Sequence, residues 1–231
     1  MKSNPAIRVT AACLLAAACW AFSSVDAMAG AWGFTGGAGV AGPYRLISNK
    51  YYDQSFGPTG SAVAAAMRRI SSDLDLRMAT GWSGYGQDVP LTQVPENPPT
   101  RLHQAAGIVP LSMGLRWHLP ARGFSNDRPV FIDVAPALVW SRWRERFTQI
   151  GYDLNGTSQH IDAVDTRSTL RPGIDVGLGV GFRSTEHVHP EFGVRFLAST
   201  SPGDAPIPSL YGAKTQGLRQ WSAGMNLSWE P

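Results

Sequence analysis

The histidines are the residues of this chain best suited to metal or acid–base chemistry. His187 and His189 flank a single valine, so an extended segment would place both imidazoles on one face. Imidazole nitrogens are common zinc ligands, and Glu186 and Glu191 lie close by in the sequence. No spacing of Cys or carboxylate residues completes a coordination set. The pattern therefore favours a solvated turn, and we predict no metal site, no cofactor and no catalytic centre here.

A larger group of ionisable residues occupies alternate positions of otherwise apolar segments. His118, for example, follows Arg116 at a spacing of two and could act as a buried base. Basic and acidic members of the group nearly balance, and charges removed from water must be paired. We therefore predict an internal charge network with a structural role. Its members are Asp75, Arg77, Arg116, His118, Asp133, Asp175, Glu191 and Arg195.

Strands are the elements that would position these charges. From Arg171 to Phe182, apolar residues alternate strictly with glycine or polar residues, which is the period of a β-strand and not of a helix. The same alternation predicts six further strands, at residues 32–40, 74–83, 109–119, 130–140, 191–199 and 220–230.

An eighth strand is predicted from Ser61 to Ile70, where two interpretations compete. The alanines favour a helix by propensity, and Val63, Met67 and Ile70 would share one helical face. We favour a strand, because the turn residues 71–73 lead directly into the next strand. An even number of strands also leaves no unpaired edge.

Composition narrows the class of protein. The 231 residues include 20 basic and 17 acidic side chains, a formal charge of +3 without a basic cluster, so nucleic acid is not an expected partner. Charged residues make up 16%, well below the roughly 25% of ordinary soluble domains. Glycine and aromatic residues are plentiful, which argues against disorder and makes a soluble enzyme a poor fit.

The first 29 residues resemble a Sec signal peptide. Lys2 and Arg8 precede an uncharged apolar run, and the small residues of Ala27-Met28-Ala29 suit signal peptidase. We therefore predict a signal peptide at 1–29 and one barrel domain at 30–231. Both cysteines, Cys13 and Cys19, lie in the removed segment; lipidation of Cys19 is the alternative.

The connections alternate in length, as they do in bacterial outer-membrane barrels. Residues 41–60, 87–101, 148–169 and 202–217 form the long ones, whereas residues 71–73, 121–128 and 184–190 form the short ones. With long connections outside, strand-end aromatic residues fall into two interfacial girdles. The predicted girdle residues are Trp32, Trp82, Tyr85, Trp117, Trp140, Trp143, Phe182, Phe192, Trp221 and Trp229.

A soluble sandwich or lipocalin-type barrel is the structural alternative. In that fold the apolar residues would point inward and the charged residues would point into solvent. Such a fold has no need of tryptophans in two bands at the strand ends. We therefore favour the membrane barrel, with lipid outside and a filled lumen.

These features resemble the small outer-membrane barrels of the OmpA transmembrane-domain and OmpX type, over residues 30–231. The resemblance implies an all-β, eight-stranded antiparallel up-and-down transmembrane β-barrel in a Gram-negative cell envelope. It also implies contact with outer-membrane lipid, including lipopolysaccharide, and with the outer-membrane assembly machinery. The chain departs from the family where Glu230-Pro231 follow Trp229, since family members usually finish on an aromatic residue. No OmpA-like peptidoglycan-binding domain is expected.

Function is expected to reside in the surface connections. The first hypothesis is a structural barrel that displays loops for adhesion or binding of an extracellular partner, through residues 41–60 and 148–169. The aromatic residues of the first loop are Tyr44, Tyr51, Tyr52 and Phe56. The alternatives are a narrow passive channel and a lipid A-modifying enzyme, which would use His103 or His160 with Ser158 or Asp162.

Overall fold

The computed structural model describes residues 32–42, 44–48, 53–91, 100–119, 130–152, 158–182, 185, 187–200 and 218–229. Within these residues the regular structure is entirely β. The strands are β1 (Trp32–Ala41), β2 (Tyr44–Ser48), β3 (Asp53–Phe56), β4 (Thr59–Ser71), β5 (Leu74–Leu91), β6 (Thr100–Leu119), β7 (Val130–Tyr152), β8 (Ser158–Gly181), β9 (Val188–Ser199) and β10 (Arg219–Trp229).

Eight of these strands close into a barrel. Each of β4 to β10 pairs antiparallel with its neighbour in the chain, and β1 pairs with both β4 and β10. The register Phe34↔Trp229 on one side of β1 and Phe34↔Ala66 on the other joins the first and last strands. Strands β2 and β3 form a separate hairpin between β1 and β4. The predicted eight-stranded up-and-down barrel is confirmed.

The alanine-rich segment predicted as the eighth strand is a strand, and it lies within β4. It pairs with β1 from Trp32↔Arg68 to Ala41↔Thr59 and with β5 on its other side. Ladders flank the segment on both sides, so tertiary pairing outweighs the helix propensity of alanine. Among the described residues there is no helix of the length and apolarity that membrane crossing demands.

The barrel is inside-out relative to a soluble protein. Its large apolar side chains face outward and are exposed, for example Leu178 at 56%, Val194 at 54% and Leu227 at 53%. Its interior holds many polar and charged residues, and Arg116 and Asp133 are each only 2% exposed. This distribution excludes the soluble alternative, in which the apolar set would form the core.

Four adjacent strands run far beyond the length that a membrane requires. Strands β7 and β8 have 23 and 24 residues, against the 9–11 that a tilted strand needs to cross a bilayer. Within the ranges predicted as loops, residues 87–91, 100–101, 148–152 and 158–169 instead extend the strands, and the ladders reach Leu91↔Thr100 and Tyr152↔Ser158. The loop predictions were wrong there because alternating polar residues also form strands outside the membrane.

The two ends of the barrel differ. The short turn at Ser72 and Asp73, the start of β1 and the end of β10 lie at one end, and the extended strands project from the other. Short turns face the periplasm in outer-membrane barrels, so the extended end is the outer one. The predicted signal peptide (1–29) and the connections 121–128 and 202–217 lie outside the described residues.

Candidate functional site

A buried ion-pair layer, centred on Arg116 of β6, fills the middle of the lumen. Arg116 Nε donates to Asp133 Oδ1 at 2.7 Å, and Nη2 donates to Asp133 Oδ2 at 3.1 Å. Nη1 donates to Glu191 Oε1 at 2.8 Å, and the guanidinium lies 3.8 Å from the centroid of the Phe131 ring. A single arginine thus neutralises two carboxylates on different strands and ties β6 to β7 and β9.

Asp175 of β8 forms the second centre of this layer. It accepts hydrogen bonds from Arg195 Nη2 and from Ser112 Oγ, the latter at 2.8 Å. Arg77 lies between two carboxylates, with Nε 3.4 Å from Asp133 Oδ2 and Nη1 4.0 Å from Asp175 Oδ2. The Nε atoms of Arg77 and Arg195 are buried without a hydrogen-bond acceptor among the described residues. Both guanidiniums are held by charge and by their remaining donors.

A third cluster closes the lumen near the periplasmic end. His118 Nε2 lies 2.6 Å from Asp75 Oδ2, and Arg69 Nε donates to Asp75 Oδ1 at 3.1 Å. Asp75 is almost fully buried, whereas the Arg69 side chain is about half exposed. The structure therefore brings all eight residues of the predicted charge network inside the barrel, in three clusters of which Arg77 joins the first two.

An apolar plug fills the outer part of the lumen, which sequence reasoning missed. Phe56, at the end of β3, is 1% exposed and lies 5.7 Å from the ring of Tyr85 and 6.0 Å from that of Trp143. The Tyr85 hydroxyl donates to the Gly42 carbonyl oxygen at 3.0 Å. A cavity of about 80 Å³ lies in the lumen, and its lining combines apolar residues with Arg77, Arg195, Ser83, Gln220 and Asn226.

The plug corrects three predictions. Tyr85 and Trp143, predicted as girdle residues, are buried in the lumen. Each lies an odd number of residues from the outward Trp82 or Trp140 of its own strand, so the two-residue period turns it inward. Phe56, predicted as a ligand-binding aromatic of the first loop, is buried in the plug and cannot contact an external partner. Side chains of residues 44–55 lie outside the described part of the chain.

Most of the other predicted girdle residues lie near the barrel ends. Trp117 and Trp229 are more than 40% exposed at the periplasmic end, and Trp82 and Trp221 at the outer end. Phe192 is 48% exposed, but it pairs with Met225 and lies further into the apolar band than predicted, because β9 begins at Val188, four residues before it. Trp140 is 39% exposed at the outer end, while Trp32 and Phe182 are half-buried at the periplasmic end. Aromatic residues at both boundaries of an apolar band are typical of a transmembrane barrel.

The histidines do not assemble a reactive centre in the described part of the chain. His103 Nδ1 lies 2.7 Å from Asp88 Oδ1, but both side chains are more than half exposed. The side chains of Ser158 and His160 lie outside the described residues. His187 is exposed, and no group of three His, Cys, Asp or Glu residues suited to a metal ion occurs among the residues described.

The projecting sheet carries one strong surface ion pair. Arg146 of β7 binds Asp162 of β8 through Nε at 3.0 Å and Nη2 at 2.6 Å. The hydrogen bond and charge of Asp162 raise the pKa of Arg146. This bidentate pair lies on the outward face of the extension and joins its two longest strands.

Comparison with known proteins gives fold likeness at low sequence identity. No family model matches the chain, and no curated protein matches it. One similar solved structure is the attachment invasion locus protein Ail of Yersinia pestis, which is 8% identical in sequence. The alignment covers 86% of this chain and 98% of Ail, with a TM-score of 0.42. A major outer membrane protein from Thermus thermophilus shows 15% identity over 86% of this chain and 99% of its own, with a TM-score of 0.45. Neisserial surface protein A shows 16% identity over 87% and 97%, with a TM-score of 0.40.

The closed ring of strands, the exposed apolar band with aromatic residues at both boundaries and the ion-paired lumen are properties of this chain itself. Together they describe an apolar outer surface suited to contact with lipid and, among the described residues, a lumen filled by side chains. The chain is a small eight-stranded β-barrel of the bacterial outer-membrane type.

Proposed function

We propose that the protein is a structural outer-membrane barrel that presents an extracellular β-sheet for adhesion or for binding of an extracellular partner. The observation that supports the proposal most is the length of β5 to β8. Beyond the girdle residue Trp140, β7 continues for 12 residues to Tyr152, and β8 runs beside it from Ser158. At about 3.3 Å per residue this extension projects roughly 40 Å along the strand. A membrane anchor alone has no need of it.

The lumen favours an anchoring role over conduction. Phe56, Tyr85 and Trp143 pack against one another in its outer part, and the layer centred on Arg116 fills the section below. Water and ions would have to displace packed aromatic rings and break buried ion pairs, both of which are costly. The proposed barrel therefore works as a rigid support, and recognition belongs to the surface it displays.

Trimming the β7–β8 hairpin tests the proposal. Residues 149–161 are replaced by Asn-Gly, a sequence suited to a two-residue hairpin turn, between the registered partners Thr148 and Asp162. All the β7–β8 residue pairs on the barrel side of Thr148 and Asp162 are kept, so the barrel should still fold. We expect cells that display the full chain to adhere to surfaces coated with heparin, and trimming to reduce adhesion to the level of cells without the protein.

The control for this experiment is Arg146→Gln, which alters the outward face of the same hairpin without shortening it. Its adhesion is expected to stay within twofold of the unmodified chain. The proposal fails if the full chain gives no adhesion above the empty cells, or if the trimmed chain adheres as well as the full one. Both variants are first checked for folding by their mobility on unheated gels.

A further inference from the structure

The outward face of β7 carries a row of arginines immediately beyond the outer aromatic girdle. Arg142, Arg144 and Arg146 follow Trp140 at a spacing of two, and all three are exposed. Alternate residues of a strand share a face, so the three guanidiniums rise in line at intervals of about 7 Å along the strand. With the tilt usual for outer-membrane strands, Arg142 and Arg144 lie about 5 and about 10 Å beyond Trp140 along the membrane normal.

The first two arginines have no acidic neighbour across the strands. Their cross-strand partners are small and uncharged: Gly107 and Ser168 flank Arg142, whereas Ala105 and Thr166 flank Arg144. A side chain at Gly107 would meet only open space, so the surface beside Arg142 is recessed. No described residue forms an ion pair with Arg142 or Arg144, whose positive charges are therefore not neutralised from within the described part of the chain.

The third arginine is different. Arg146 is held by both carboxylate oxygens of Asp162, and at the same height His103 contacts Asp88. On the described part of this face, acidic partners thus appear only beside Arg146, the third arginine beyond the girdle. The positive charge without an acidic partner is confined to Arg142 and Arg144, which lie at the depth where lipid headgroups surround an outer-membrane barrel.

A second strand places a cation at the same depth. On β10, the girdle residue Trp221 is followed towards the outer end by Arg219, which is also exposed on the outward face. Cations just outside an aromatic girdle attract anionic headgroups, and each raises the affinity roughly fivefold near the membrane surface. Strand β7 differs from β10 because its two guanidiniums, those of Arg142 and Arg144, are close enough to bind one ligand.

We propose that Arg142 and Arg144 form a binding site for the phosphate groups of lipopolysaccharide in the outer leaflet. Guanidinium groups bind phosphate oxygens through paired, charge-assisted hydrogen bonds, and Trp140 offers an aromatic surface directly below for the lipid part. The recess at Gly107 leaves room for the sugar that carries the phosphate. The site rests on the outward position of β7 in the outer membrane and is independent of the adhesive role proposed for the hairpin tip.

Binding of purified lipid A to the folded protein in mixed detergent micelles tests the site. The probes are bisphosphorylated lipid A and the same lipid A after removal of its phosphates. For the double variant Arg142→Gln with Arg144→Gln, we expect an affinity for bisphosphorylated lipid A about 30-fold lower than that of the unmodified chain. The unmodified chain should bind the dephosphorylated lipid equally weakly.

Arg68→Gln is the matched control. Arg68 also faces outward, but it lies at the periplasmic end beside Trp32, 5.9 Å from the ring centroid, so its replacement removes one interfacial charge far from the site. The affinity of Arg68→Gln for lipid A should stay within twofold of that of the unmodified chain.

Equal binding by the double variant and the unmodified chain would overturn the proposal, as would equal binding of the two lipids. If a heparin oligosaccharide displaces lipid A from Arg142 and Arg144 at a lower concentration than lipid A itself binds, the site belongs to a soluble polyanion and the assignment to lipopolysaccharide is wrong.

Discussion

Replacing Arg116 by leucine should lower the free energy of unfolding by about 3–5 kcal/mol. The side chain is 2% exposed and binds Asp133 through two hydrogen bonds and Glu191 through one. Its removal leaves two carboxylates buried without their principal counter-charge, which costs far more than the loss of an exposed pair. Urea-dependent unfolding in lipid vesicles, followed by tryptophan fluorescence, measures the change.

Arg146→Leu is the matched control, because it removes the same charge from a bidentate pair outside the membrane. The Arg146 and Asp162 side chains are 53% and 33% exposed, so solvent screens the pair and the expected loss is far smaller than that of Arg116→Leu. Combining Arg116→Leu with Asp133→Leu should recover part of the stability, since fewer buried charges are left unpaired. Equal effects of the two single arginine variants would show that the lumen is hydrated and that its ion pairs contribute little.

Replacing Met225 by arginine should destabilise the folded protein by about 2–4 kcal/mol in a lipid bilayer. Met225 lies on the outward face of β10, midway between Trp221 and Trp229, and is 46% exposed. Two girdle residues four positions away on either side place it near the middle of the apolar band. A charge there must leave water for hydrocarbon or distort the bilayer to reach the headgroups.

Met225→Leu controls for the loss of the methionine and should change the free energy of unfolding by less than about 1.5 kcal/mol. The same urea titration in vesicles serves both variants. If the outer wall faced water, an arginine at this exposed position would change stability by no more than about 0.5 kcal/mol. That result for Met225→Arg would contradict the orientation of the apolar face.

The barrel could be predicted from the sequence because its strongest signal is local. A two-residue period needs only neighbouring side chains, and it identified seven of the eight barrel strands. The alanine-rich segment of β4 lacks a clear period and was predicted from the turn that follows it and from the need for an even number of strands. The two-residue period also predicted which residues of each strand share the apolar face and which share the polar face. The charged residues placed in the lumen share the inward parity of their strands, so their position required no knowledge of which strands pair.

The outer half of the molecule was harder to predict because its signals are not local. Residues 148–169 are polar on both faces, and a polar two-sided strand looks like a loop until its partner is known. Tyr85 and Trp143 were misplaced because their position at a strand end was weighed without their parity. Phe56 was missed because its burial depends on the hairpin of β2 and β3 folding over the barrel mouth, which no sequence period reports.

The partners of individual charges also depended on the three-dimensional register. The sequence pattern places Arg116 and Glu191 on the inward faces of their strands, but 75 residues separate them and β6 and β9 are not paired. Their contact crosses the lumen and needs the closed ring. The arginines of β7 posed the opposite difficulty. Arg142 and Arg144 are noticeable only once Trp140 marks the membrane boundary and the residues paired with them across the sheet are known to be uncharged.

The most direct test of the membrane barrel is the gel mobility of the full chain after outer-membrane fractionation and detergent extraction, with and without heating. A closed transmembrane barrel resists the detergent until it is heated. We expect the protein in the outer-membrane fraction, with an unheated band that migrates faster than the heated one. A protein recovered in the soluble periplasmic fraction with no change of mobility on heating would contradict the account.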